Sequence, residues 1–208
     1  MTYSFIRTTL ATSLMVSSTT WAADATLGQI QNQWAVCQYQ TMSDHKESCL
    51  SALSKSADQL SQTHSDRTDL LIWSAIVKSS YAGAKGGVGA LSLVKDAKSE
   101  LEQAISKDPN ALDGSAYTSL GVLYYQVPGW PIGFGDSHKA DELLKKALAM
   151  NPTGIDPNFF YGDFLLEQGH KAEAKQYLLK AMAAPAREGR EIADRGRRAE
   201  IKARLEKL

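Results

Sequence analysis

The chain has 208 residues, 43% of them hydrophobic and 22% charged, which is enough apolar content for one continuous core and excludes a disordered or collagen-like chain. Its 23 basic and 23 acidic residues cancel. No global field therefore draws it to nucleic acid or to an anionic membrane, and neither is an expected partner.

Residues 1–22 differ from the rest. They hold one cation, Arg7, and no acid precedes Asp24, while Thr8 through Ala23 is uncharged. This pattern resembles a secretory signal peptide, with small residues fitting cleavage after Ala22 or after Ala25. The alternative is an interfacial or disordered N-terminal segment of a cytosolic protein, because Ser and Thr dilute the apolar core of Leu10, Leu14, Met15 and Val16. No later stretch approaches the ~20 apolar residues of a transmembrane helix, so the mature chain, residues 23–208, is expected to be one periplasmic or secreted domain that does not insert into a membrane.

Leu27, Ile30, Trp34 and Cys37 recur at helical spacing, as do Cys49, Leu50, Leu53, Ala57 and Leu60, giving a first hairpin near residues 24–62. Asp44-x-x-Glu47 has the form of a capping box for the second helix. A turn near residues 42–44 sets Cys37 opposite Cys49, and the expectation is a disulfide contributing roughly 3 kcal/mol. Two free buried thiols are the rival reading.

A second hairpin is expected near residues 66–107. Its first helix begins near Asp66 or Thr68, runs through Leu70, Leu71, Trp73, Ile76, Val77 and Tyr81, and stops at the glycines from Gly83 to Gly89. Gly87-x-Gly89 lacks the third glycine of a dinucleotide fingerprint, no strand precedes it, and no Gly-Lys-Ser/Thr follows. The run reads as a flexible or φ-positive connection. Its second helix, near residues 90–107, carries Leu91, Val94, Ala97, Leu101 and Ala104 and breaks at Asp108-Pro109.

Ala97, Leu101, Ala104 and Pro109 recur as Ala140, Leu144, Ala147 and Pro152, displaced by 43, and the first three recur again as Ala174, Leu178 and Ala181, displaced by 34. Thirty-four residues is the tetratricopeptide (TPR) period, and Tyr117-x-x-Leu120-Gly121-x-x-Tyr124 supplies the matching first-helix pattern. The expected fold is all-α, a TPR-like solenoid of about four antiparallel hairpins. The third and fourth span residues 112–150 and 156–183, and a capping helix follows over residues 188–207. Ile192, Ile201, Leu205 and Leu208 would cover the inner side of that helix. Arg187, Arg190, Arg195, Arg197 and Arg198 read either as part of a solvated face or as a basic partner-docking surface.

Nothing assembles into a catalytic or metal constellation. His45, His64, His138 and His170 are scattered, and Ser119 lacks the glycines of a nucleophile elbow. No enzyme activity, cofactor or metal is expected. The longer repeat places its nine extra residues in the loop from Gln126 to Gly135, where Trp130, Ile132 and Phe134 stand among glycines and prolines. Either these aromatics fold back to brace the hairpin, with Asp136 or Ser137 capping the next helix, or they form the lip of a binding site. Trp130-Pro131 is a candidate cis bond. First helices line the concave face of such stacks, which singles out Thr118, Val122, Tyr125, Phe159, Asp163 and Leu166 as groove residues.

From about Ala84 to Leu208 the chain resembles a family of secreted bacterial TPR proteins, on the runs YYQVPGWPIGFGD, NPTGIDPNFFYGDF and GREIADRGRRAEI. That family is similar to the periplasmic TPR component associated with TRAP-type solute transporters. The resemblance implies a helical periplasmic scaffold with a channel or groove and carries no established reaction. The expected partner is another protein or peptide, with an apolar small molecule as the alternative.

Overall fold

The computed structural model describes residues 19–208, with side chains from Thr26 onward, and those residues are helical with no strand. The leader expected over residues 1–22 and its cleavage points after Ala22 or Ala25 lie outside the residues described in full. Nine α-helices follow among the described residues: α1 Thr19–Tyr39, α2 Ser43–Thr63, α3 Thr68–Lys85, α4 Gly87–Lys107, α5 Ser115–Gln126, α6 Ser137–Met150, α7 Ile155–Glu167, α8 Lys171–Met182 and α9 Glu191–Leu205. None of them is long and apolar enough to cross a membrane.

Sequence neighbours pair as hairpins: α1 with α2, α3 with α4, α5 with α6 and α7 with α8. The repeated second-helix positions explain the pairing. Ala97, Leu101 and Ala104, then Ala140, Leu144 and Ala147, then Ala174, Leu178 and Ala181 are all completely buried. The alanines permit close helix approach while each leucine fills the remaining gap. On the first helices, glycine makes room for that leucine. A Cβ on Gly121 would lie 2.8 Å from Leu144 Cγ, and one on Gly162 would lie 3.0 Å from Leu178 Cγ.

The odd-numbered helices form an inner layer, in which α1 packs on α3, α3 on α5, α5 on α7 and α7 on α9. Helix α9 also packs on α1, so the layer returns to its beginning. Gly196 is one reason the contact can form, since a Cβ there would sit 2.3 Å from Cγ of the Tyr39 ring. Cys37 and Cys49 are bonded between α1 and α2, with a Cα separation of 5.6 Å.

Some local expectations change. Met42 is the N-cap residue of α2 and no side chain caps it, so Asp44 falls inside the first turn and the capping box does not form. The glycine run is a φ-positive connection as expected, but a shorter one, because α3 continues to Lys85 and α4 starts at Gly87. The break sits at Gly86 and Gly87, with φ of 63° and 61°, and the rest of the run is absorbed into the flanking helices. A turn of 3-10 helix at Ala111–Gly114 precedes α5, with left-handed backbone at Leu112, Asp113 and Gly114. Two of these are not glycine, and each such residue costs on the order of 1 kcal/mol or more. Gly114 allows Met150 to pack against the turn, since a Cβ there would lie 2.7 Å from Met150 Sδ.

Candidate functional site

The inner layer surrounds a half-open cavity of about 800 Å³, to which α1, α3, α5, α7 and α9 all contribute lining residues. One wall is aromatic. Trp34 and Trp73 meet edge to face at 5.6 Å, Trp34 Nε1 donates to Ser80 Oγ at 2.8 Å, and Phe159 and Phe160 meet at 5.1 Å. Trp34, Trp73 and Phe159 are themselves buried, so they back the cavity with an apolar wall beside hydroxyl groups.

The opposite character comes from α9 and the segment leading into it. Arg187 Nη1 donates to Asp156 Oδ2 at 2.7 Å, and its Nε donates to Asp194 Oδ1 at 2.8 Å. Arg197 Nε donates to Asp156 Oδ1 at 2.9 Å, its Nη1 donates to Glu200 Oε2 at 2.5 Å, and its guanidinium lies 4.4 Å from the ring centres of Phe159 and Phe160. Tyr39 of α1 donates to Glu200 Oε2 at 3.2 Å, linking the first helix to the last. Deeper in α7, Asp163 accepts from Arg204 Nε and from Tyr125 Oη, the latter at 3.0 Å.

These contacts set the ionisation. Burial opposes charge on Asp156, but Arg197 and Arg187 outweigh it and hold its carboxyl at about 2. Burial, and then the Asp163 carboxylate, push the Tyr125 hydroxyl well above its ordinary value. Burial does the same for Tyr39. Asp156 is therefore an ionised ion-pair partner at neutral pH, and the Tyr39 and Tyr125 phenols are neutral donors.

Four of the expected groove residues, Thr118, Val122, Phe159 and Asp163, line this cavity. Tyr125 stands behind the wall and reaches it through Asp163, while Leu166 packs into the core and does not line the groove. The loop residues Trp130, Ile132 and Phe134 are not part of the cavity. Phe134 folds back edge to face on Tyr124 at 5.5 Å, and Asp136 caps α6 by accepting from His138 N and Lys139 N. Gly135 N donates to Pro128 O at 3.0 Å and Asp136 N to Tyr124 O at 2.8 Å, while Cβ atoms on Gly133 or Gly135 would collide with the carbonyls of Pro128 or Val127. Trp130 and Ile132 remain at the tip, 90% and 63% exposed, and Trp130-Pro131 is cis. The loop thus braces its own hairpin and still presents two apolar side chains.

The arginines do not form an outward basic surface. Arg187 and Arg197 turn inward to Asp156, Arg190 lies 4.9 Å above the Trp73 ring, Arg198 donates to Ala184 O, and only Arg195 of the five is exposed. A signal for this stood in the sequence. Ala193, Arg197 and Ile201 repeat every four residues, so Arg197 shares the buried stripe of its helix.

A second charged cluster ties three helices together away from the cavity. Lys78 of α3 pairs with Asp58 of α2 at 2.9 Å and Glu100 of α4 at 2.5 Å, and Ser74 donates to both carboxylates. Among the described residues, no group of three His, Cys, Asp or Glu is placed to hold a metal ion. Compared with known proteins, the chain matches no family model and no curated protein.

Proposed function

We propose that this chain is an exported, TPR-like α-solenoid of four antiparallel hairpins plus a C-terminal capping helix, and that it binds a small ligand in the central cavity without transforming it. The observation that carries the reading is the lining: every inner helix, including α9, contributes to one amphipathic cavity of about 800 Å³. That volume falls in the range of roughly 300–1,000 Å³ typical of small-ligand sites. Asp156, Asp194 and Glu200 are engaged by arginines, which suits a rigid binding wall better than acid or base catalysis. The bonded Cys37–Cys49 pair and the leader-like N-terminus favour a periplasmic or secreted location. By resemblance, the role would be that of a carrier working beside a TRAP-type transporter.

A thermal-shift screen of small acids, amines, lipids and short peptides tests this, with Val122→Trp as a variant that obstructs the cavity. At least one class should raise the Tm of the wild type by more than that of the variant. No shift with any class, or equal shifts in both proteins, contradicts the reading.

A second reading, that the chain is an adaptor for a polypeptide partner, is favoured by the exposed Trp130 and Ile132 on a braced loop. Crosslinking of wild type against Trp130→Ala plus Ile132→Ser tests it. Because Phe134 packs on Tyr124, replacing it would disturb the hairpin and confuse the result. Partners lost in the double variant support the adaptor, and unchanged partners remove the loop from the account.

A further inference from the structure

Arg190 differs from its neighbours on the cavity wall. It is the N-cap residue of α9, its guanidinium lies 4.9 Å from the Trp73 ring centre, and it borders the cavity. Its Nε is shut off from solvent and has no hydrogen-bond partner among the described residues. The nearby carboxylates are engaged elsewhere: Asp156 holds Arg187 and Arg197, Asp194 holds Arg187 and Arg198, and Glu200 holds Arg197. Four arginines, 187, 190, 197 and 198, therefore face three carboxylates, and the uncompensated charge falls on Arg190. An arginine keeps its charge in a protein, and a buried charged donor without an acceptor is costly.

We propose that the cavity binds a monoanionic ligand, a carboxylate carried on a flat apolar body, with Arg190 as the anchor for the carboxylate and the Trp34–Trp73 wall as the seat for the body. This rests on the cavity reading above and specifies its occupant. One negative charge matches the uncompensated Arg190, whereas a second would face Asp113, Asp156 and Glu200, which border the same cavity. The guanidinium fork suits a carboxylate, and the aromatic rings beside it suit a planar body.

The test uses isothermal titration calorimetry at neutral pH with 1-naphthylacetate and 1-naphthylacetamide, which match in shape and differ in charge, on the intact chain. The wild type should bind the acid at least about tenfold more tightly than the amide, as expected for one charge-assisted contact. Arg190→Gln should reduce the acid to the affinity of the amide while leaving the amide unchanged, and Arg190→Lys should keep part of the preference. Equal binding of acid and amide by the wild type overturns the anionic assignment and leaves the cavity reading intact. That comparison needs no variant, so a misfolded Arg190→Gln does not obscure it. Binding of neither compound also overturns the assignment, and the thermal-shift screen then decides the cavity reading separately.

Discussion

Gly196 of α9 lies against the ring of Tyr39 of α1, so closely that a Cβ would fall 2.3 Å from Cγ and 2.4 Å from Cδ1 of that rigid side chain. The first and last helices thus meet at a position where only hydrogen fits. Through this contact and the Tyr39–Glu200 hydrogen bond, the inner layer closes on itself around the cavity.

Replacing Gly196 with alanine should therefore destabilise the protein, although alanine is the better helix former by about 1 kcal/mol. The displaced ring outweighs that gain, and urea unfolding should report a net loss of about 1–3 kcal/mol. Unchanged or increased stability would mean that α1 and α9 do not meet as described.

Asp156 predicts a pH dependence. Its carboxyl is held at about 2 in the folded chain against an ordinary 3.8, so its contribution is complete above about pH 4 and is lost as pH falls from there to 2. The shift corresponds to on the order of 2 kcal/mol. Thermal melts from pH 7 to 2 should show wild type losing this increment in the acid limb. Asp156→Asn should already lack it at pH 7 and show a shallower acid limb, and parallel curves for the two proteins would contradict the assignment.

Phe134 and Trp130 share one loop and should behave differently. Phe134→Ala removes the edge-to-face contact with Tyr124 and should cost about 1–3 kcal/mol. Trp130→Ala, at a 90% exposed site, should change stability by no more than about 0.5 kcal/mol. A large loss for Trp130→Ala in the isolated protein would show that the tip is packed.

The Cys37–Cys49 bond closes a short loop between α1 and α2. Reduction, or replacement of both residues by serine, should lower stability by about 3 kcal/mol. Thiol alkylation before and after reductant checks the bond itself, and a melting curve insensitive to reductant would contradict its structural role.

The hairpins were legible in the sequence because their determinants are local. Ala97, Leu101 and Ala104 repeat as Ala140, Leu144 and Ala147 since each set packs within or beside its own hairpin, and every one of them is buried. Thr118, Val122, Phe159 and Asp163 were legible for the same reason, being first-helix positions. What composition and spacing did not reveal is the charged half of the cavity. Apart from Arg197, which shares the buried stripe of Ala193 and Ile201, the arginines Arg187 and Arg190 look like a solvated surface until α9 is known to return to α1 and α7, and that contact is between chain segments far apart. Asp44 failed as part of a capping box because the helix starts two residues earlier, with Met42 as its N-cap, a shift finer than capping patterns resolve.

The central claim, that the inner helices enclose a ligand site, is tested most directly by native mass spectrometry of protein purified without denaturation. Wild type should carry a bound small-molecule mass that is released on unfolding, and Val122→Trp, which places an indole in the cavity, should carry less of it. A wild type free of bound mass, or equal occupancy in both proteins, would contradict it.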